Sequence, residues 1–200
     1  MNEVATIAFA LRLATLAAFA WNVILFTRAL RSAFSRPEGV PPLMRALAVC
    51  GTVATLLDGW LLWSASALLS FLIGGFTILI LSQWVFRSAI KATAAHKLSL
   101  AFSTDVPTGL NQSGIYRRVR HPFYLAYALT WLGAVVGTLH LGAVLTLVVM
   151  LGFYVTAARR EERKFLSSPL ADAYREYQGR AGMFLPPLFL NQPTQPKPTK

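Results

Sequence analysis

The chain carries one cysteine, three histidines and eight acidic residues in 200 positions. Cys50 alone cannot close an internal disulfide, so a disulfide framework and a Cys-based metal site are both excluded. His96, His121 and His140 stand far apart, without HxxxH or HExxH spacing, and no metal is expected. The sequence also lacks the Gly-rich GxGxG strand turn, which excludes nucleotide binding in the soluble Rossmann manner. Charged residues make up only 14%, where a soluble domain carries roughly a quarter.

What is present is apolar and basic: 55% hydrophobic residues and a net charge of +11. A nucleic-acid partner would call for a basic face interleaved with polar residues, whereas here Lys and Arg fall in the gaps between apolar runs. The expectation is an all-α, polytopic integral membrane protein with about five transmembrane helices and a short cytoplasmic helical C-terminal region. No nucleic-acid partner is expected.

Val4 to Phe26 is apolar for about 23 residues, enough to cross a hydrocarbon core of about 30 Å. Glu3 stands where a signal peptide would have basic residues, so this segment is expected to be a retained first helix. Arg12 interrupts it, and Asp58 in the second apolar segment is an available counter-ion. Residues 27–45 hold Arg28, Arg31, Arg36 and Arg45 with Pro37, Gly39, Pro41 and Pro42, the pattern of a basic loop. Ala46 to Trp63 and Ala65 to Phe86 should form an antiparallel hairpin turning at Ser64 to Ser66, with Gly74 and Gly75 permitting close approach.

Arg87 to His121 is polar and basic, and Ser103, Asp105, Pro107 and Gly109 mark a loop within it. Pro122 to Ala158 is then weakly polar for about 37 residues, too long for one span, and predicts two helices bent back around Gly137 to Gly142. Arg159 onward, RREERKFL and ADAYREYQGRAGMFLPP, reads as a helix leaving the membrane and a second short helix. The ending NQPTQPKPTK is Pro-rich, and disorder is expected over residues 188–200.

Arg12 apart, every Lys and Arg lies in residues 27–45, 87–121 or 159–200. With five spans these regions share one side, and the two opposite turns carry no Lys or Arg. The positive-inside rule then puts the amino terminus outside and the carboxyl terminus in the cytoplasm, as in a bacterial inner-membrane protein.

The stretch Gly114 to Tyr127, GIYRRVRHPFYLAY, reads as the active-site segment, a charged cluster at a membrane boundary. Pro122 suits the first position of a helix, with His121 as its cap residue. The free N–H groups there would favour a carboxylate or phosphate, and Arg120 could extend such an anion site. Arg117 and Arg118 read as headgroup anchors. Glu161 and Glu162 follow an apolar helix and are flanked by Arg159, Arg160 and Arg163; such charges are either surface pairs or a site for an ammonium or a ribose diol.

The ordered set Gly114, Tyr116, Val119, Arg120, His121, Pro122, Tyr124, then Arg159, Glu161, Glu162, then Tyr174, Tyr177, Leu185, Pro186 resembles the isoprenylcysteine carboxyl methyltransferase family and its prokaryotic relatives. The resemblance spans residues 108–187. It implies a multi-pass methyltransferase with S-adenosylmethionine in a cytoplasmic pocket and a lipid-side opening for a lipophilic or small apolar acceptor. By this resemblance Leu110, Tyr116, His121, Pro122, Phe123, Tyr124 and Glu162 bind the cofactor. Arg159 serves the substrate as the catalytic arginine, with Arg160 as its alternative and Arg120 as a second substrate-binding residue. Where the family has an upstream His and Gln, this chain has Thr108 and Ala101.

The implied division is a three-helix transmembrane region (1–90), a cofactor-binding methyltransferase core with a helical hairpin (91–187), and a tail (188–200). Methyl transfer from a sulfonium demands alignment and exclusion of water. A carboxylate acceptor is already ionised at neutral pH and requires no general base, so a carboxyl O-methyltransferase is favoured. Two alternatives remain at this stage. One is an NADPH-dependent sterol-type reductase, against which the Glu161–Glu162 pair argues; the other is a non-enzymatic helical scaffold whose basic loops bind membrane lipid.

Overall fold

The computed structural model describes residues 3–32, 41–64, 67–93 and 109–187. Among these described residues six helices follow in order: α1 (Glu3–Ser32), α2 (Pro42–Ser64), α3 (Leu69–Ala92), α4 (Pro122–Thr138), α5 (Leu141–Leu166) and α6 (Ala171–Arg180), with a short 3-10 helix at Gly114–Arg117. The middle of the basic loop at 33–40, the turn at Ala65 and Ser66, the loop at 94–108 with Ala101 and Thr108, and the Pro-rich end at 188–200 lie outside the described residues.

Four helices, α1, α2, α3 and α5, are long and apolar enough to cross a membrane. The fifth apolar helix, α4, has 17 residues, about 25 Å at 1.5 Å per residue. Its shortness goes with its position. Ala126, Thr130, Trp131, Gly133, Ala134 and Gly137 are all buried against neighbouring helices, so α4 is a central strut with little surface left for lipid.

The apolar stretch after Pro122 turns back at Leu139 and His140, inside the expected interval. Leu139 takes the left-handed conformation at φ 49° and donates its N–H to Val135 O at 2.8 Å, while His140 caps α5 by accepting the Gly142 N–H on Nδ1 at 3.0 Å. A glycine would fit Leu139's position better. The nearby Gly137 is committed elsewhere, because a Cβ there would meet Leu62 at 3.3 Å.

Helices α3 and α4 touch through backbone. A Cβ on Gly75 would lie 2.7 Å from Gly137 Cα and 2.8 Å from Gly133 O, closer than any real side chain comes. Small residues let membrane helices approach until van der Waals contact replaces the missing hydrophobic drive. Gly75→Ala should therefore push α3 from α4 and cost about 1–3 kcal/mol. The check is the thermal unfolding midpoint in detergent; an unchanged midpoint would mean that the helices can separate freely.

Polar residues finish the clamp. Asn22 on α1 is fully buried and donates to Leu79 O at 3.2 Å and to Thr130 Oγ1 at 3.1 Å. Ser82 on α3 donates to Ala126 O at 2.7 Å and lies 2.9 Å from Thr130 Oγ1. Three helices thus share one hydrogen-bonded node. Arg12 and Asp58 do not pair as the sequence suggests. Arg12 Nη1 donates to Trp63 O at 3.3 Å, capping the carbonyl end of α2, and Asp58 lies 2.9 and 3.1 Å from the Thr146 hydroxyl. The two charges sit on different helix contacts, and each finds a nearer polar group.

Candidate functional site

The start of α4 is set by the far end of the chain. Val119 pairs with Gly182 in a parallel bridge. Gly182 N–H donates to Arg118 O at 3.0 Å, Arg120 N–H to Gly182 O at 2.8 Å, and His121 N–H to Met183 O at 3.1 Å. Residues 181–187 thus form a strap across the beginning of the helix. Pro122 occupies the first helical position as expected, where a missing N–H costs nothing. His121 is the cap by position but its side chain does no capping. Its own N–H and that of Arg120 are used by the strap, which occupies donors that the sequence reading left open for an anion.

The His121 ring faces α5 instead. Helix α5 continues beyond its apolar portion, so that Glu161 and Glu162 come level with the start of α4. His121 Nε2 is 3.1 Å from Glu162 Oε1, and Nδ1 is 3.5 Å from Glu161 Oε2. A ring with a carboxylate at each nitrogen donates from both only as the imidazolium. Burial pulls the His121 pKa down, but the hydrogen bonds and charges of Glu161 and Glu162 outweigh it and raise it above the ordinary value.

That shift has a definite sign. A raised native pKa stabilises the fold fully below the unfolded histidine value, and the contribution is lost as pH rises through the higher native value. Stability of the wild type should therefore decline as pH rises from the ordinary histidine range, and His121→Asn should flatten that limb. Unfolding midpoints measured across the neutral range test it; identical slopes in both proteins would remove the imidazolium from the site.

Glu162 is the hub. Its carboxylate is buried and accepts from Arg120 Nε at 2.9 Å, lies within reach of His121, and accepts from Gln178 Nε2 of α6 at 3.1 Å. Arg120 Nη1 also donates to Ala181 O and, at 3.4 Å, to Gln178 O. One guanidinium therefore ties α5 to the carbonyl end of α6 and the strap. Below it, Tyr177 donates to Tyr116 O at 2.6 Å, and Tyr174, Tyr177 and Ala181 pack with Leu110, Phe165 and Leu166.

On the membrane side the cluster is aromatic. Tyr124 donates to a Glu161 oxygen, stacks on Tyr154 at 5.7 Å and 15°, and lies 5.7 Å from the His121 ring at 25°. Trp131 Nε1–H donates to Tyr154 OH at 2.9 Å and holds that ring in place. Tyr127 joins the group at 5.5 Å from Tyr154. Two carboxylates and several π faces converge here, a combination that suits a cation with polar appendages.

A cavity of about 490 Å³ opens beside the hub, lined by Thr156, Arg159, Glu162, Arg163 and Leu166. It falls within the about 300–1,000 Å³ of ordinary small-molecule sites.

Of the residues singled out in the sequence, His121, Tyr124, Arg120 and Glu162 meet directly, and Arg159 lines the same cavity as Glu162. Tyr116 and Leu110 flank them through α6. Pro122 is buried at the helix start, while Phe123 turns toward α3, 5.3 Å from Phe86. Arg117 and Arg118 are exposed, as headgroup anchors would be. Sequence reading missed Tyr154, Gln178 and the Gly182–Met183 backbone. Tyr154 had a usable signal, since it stands about two turns before Glu162 on the same face of α5. Gln178 and the strap had none.

Comparison with known proteins bears on the same segment. A family model described as phospholipid methyltransferase matches residues 69–173, more than half of the chain. No curated protein matches. The matched span runs from the beginning of α3 through α6's first turn and so includes the hub carboxylate, the His121 ring and the stacked tyrosines. The chain belongs to the phospholipid methyltransferase family, in the isoprenylcysteine carboxyl methyltransferase-like group, and is a multi-pass membrane methyltransferase.

Proposed function

We propose that the chain uses S-adenosylmethionine to methylate a lipophilic or small apolar acceptor, with a carboxylate favoured as the acceptor group. The observation that carries this reading is the convergence of Glu161, Glu162, His121, Tyr124 and Tyr154 at one end of the helices, beside a cavity that touches Glu162. These groups fit the cofactor. A carboxylate offers about four acceptor positions, of which Arg120, His121 and Gln178 use three, so Glu162 keeps capacity for a hydroxyl or ammonium. Tyrosine faces suit a sulfonium.

When bound, S-adenosylmethionine supplies an electrophilic methyl group. The residues that would hold it are Glu162, His121 and Tyr124, with Pro122 and Phe123 fixing the start of α4 behind them and Tyr116 and Leu110 backing them through α6. Arg159 faces the cavity, where it would orient an anionic acceptor, and Arg120 positions Glu162 and α6. Both nitrogens of His121 already face carboxylates, Nδ1 toward Glu161 and Nε2 toward Glu162, so neither is aimed at an acceptor's proton. That favours an acceptor already ionised at neutral pH over one that must first lose a proton.

Among the described residues, Arg45 at the start of α2, Arg87 and Lys91 at the end of α3, and the basic residues before α4 and at the end of α5 fall at the helix ends that carry the site, which supports a cytoplasmic site with the amino terminus outside. A bacterial inner membrane is the setting that fits this arrangement, with residues 91–187 as the methyltransferase core.

Isothermal titration of the purified protein in detergent tests the reading. Saturable binding of S-adenosylmethionine, with none for NADPH, is expected. Binding of NADPH alone would replace the methyltransferase with the reductase alternative, and binding of neither would favour the lipid-binding scaffold.

A further inference from the structure

A hydrogen bond joins α4 to α5 well below the carboxylates. Trp131 donates its indole N–H to the Tyr154 hydroxyl at 2.9 Å, and both residues are buried, at 6% and 4% exposure. Trp131 stands nine residues after Pro122 and Tyr154 eight before Glu162, which puts each about 12–14 Å along its helix from the level of the His121–Glu162 contact. Packing alone does not call for either polar atom. The indole lies edge-on to Phe19 of α1 at 6.0 Å and 68°, a contact that a phenyl ring also makes. Tyr154 packs through its ring on Tyr124 and Tyr127. In hydrocarbon each polar group needs a partner, and these two supply one another. What the bond fixes is the tilt of the Tyr154 ring, held at its backbone and at its hydroxyl.

Tilt matters because of what lies above. His121, Tyr124 and Tyr154 form a row of near-parallel rings, with 25° between the first two, 15° between the last two and 5.7 Å between centroids at each step. The row starts at two carboxylates, where His121 faces Glu161 and Glu162 and the Tyr124 hydroxyl donates to Glu161. It ends on the Trp131 N–H. An aromatic face is negative and its edge positive. A cation is therefore drawn to a ring met face-on and repelled by one met edge-on, whereas a neutral group of the same size packs with either. Ring orientation governs the reading of charge more than it governs shape.

We propose that Trp131 is a positioning residue that acts through Tyr154: it keeps the Tyr154–Tyr124 row turned so that the site prefers a sulfonium to the neutral thioether that remains once the methyl group has gone. This rests on the S-adenosylmethionine reading and adds to it a way of telling the charged cofactor from the spent one. Trp131 itself is too deep to touch either.

Isothermal titration of the full chain in detergent with S-adenosylmethionine and with S-adenosylhomocysteine tests it. Wild type should bind the sulfonium about tenfold more tightly. Trp131→Phe keeps a ring against Phe19 and loses the N–H; its preference should shrink about threefold to fivefold with the thioether's affinity unchanged. Tyr154→Phe keeps the ring and loses the acceptor oxygen, and should shrink the preference by the same factor. The double variant should fall no further than either single one, because one bond is removed in all three. Tyr154→Phe decides the matter by itself if Trp131→Phe does not fold. Equal weakening of both nucleotides in the variants would make Trp131 a packing residue and overturn the proposal, and so would losses that multiply in the double variant. Wild type with equal affinity for the two would overturn it while leaving the cofactor reading standing. Wild type that binds neither would sink both.

Discussion

Glu162→Gln should weaken S-adenosylmethionine binding by about a hundredfold or more, equivalent to roughly 2.7 kcal/mol. The reasoning is local. Glu162 is the one carboxylate that Arg120, His121 and Gln178 all address, and it also borders the cavity. Glutamine keeps the shape but replaces one oxygen with an amide that donates, placing N–H groups against donors already there. Two cations are then left facing each other without their anion. Removing one member of a buried pair costs about 3–5 kcal/mol where the remaining charge stays buried, and here the side chains of Arg120 and Glu162 are 12% and 11% exposed. A lowered unfolding midpoint should accompany the lost affinity. Glu161→Gln is the control, because Glu161 is more exposed and, among the described residues, is met by Tyr124 and the far His121 nitrogen. Its loss should be smaller. Wild-type affinity in Glu162→Gln would take the carboxylate out of the cofactor site.

The membrane architecture was legible because hydropathy and charge act over long windows. A stretch such as Val4 to Phe26 has few ways to satisfy its backbone in lipid other than a helix, and Lys and Arg mark the ends. The site was legible only in part. Ring and charge residues such as His121 and Glu162 stand out against apolar surroundings, so their importance can be read before their distance is known. Arg120 shows the limit. Its sequence neighbours, Arg117 and Arg118, are exposed cations of the same kind, and nothing local says that Arg120 alone turns inward to Glu162 and the α6 carbonyls. Gln178 and the Gly182–Met183 backbone contribute through contacts some 60 residues distant in sequence. The Arg12–Asp58 pairing failed for the same reason: opposite charges in adjacent apolar helices invite pairing, but helix rotation decides it, and Thr146 and Trp63 O lie closer.

The largest effect away from the hub carboxylate is expected at Arg120. Its guanidinium donates in two directions at once, Nε to Glu162 and Nη1 to the carbonyls of Ala181 and Gln178. Lysine keeps the charge, but an ammonium is a point donor on a flexible stem and cannot reproduce that fork. Arg120→Lys should therefore keep the contact with Glu162 and release the carbonyl end of α6. The strap is held next to it by Arg120 N–H to Gly182 O, His121 N–H to Met183 O and Gly182 N–H to Arg118 O, and these bonds should open together. Hydrogen exchange at the Arg120, His121 and Gly182 amides should accelerate by about tenfold to a hundredfold, as for a local opening made cheaper by roughly 1.4–2.7 kcal/mol. Cofactor affinity should fall by a similar factor, because the strap and α6 fix the far side of Glu162. An Arg120 that instead holds the acceptor's anion predicts something else: unchanged exchange, unchanged cofactor affinity and a raised KM for the acceptor. The two measurements together decide between a clamp on the fold and a hand on the substrate.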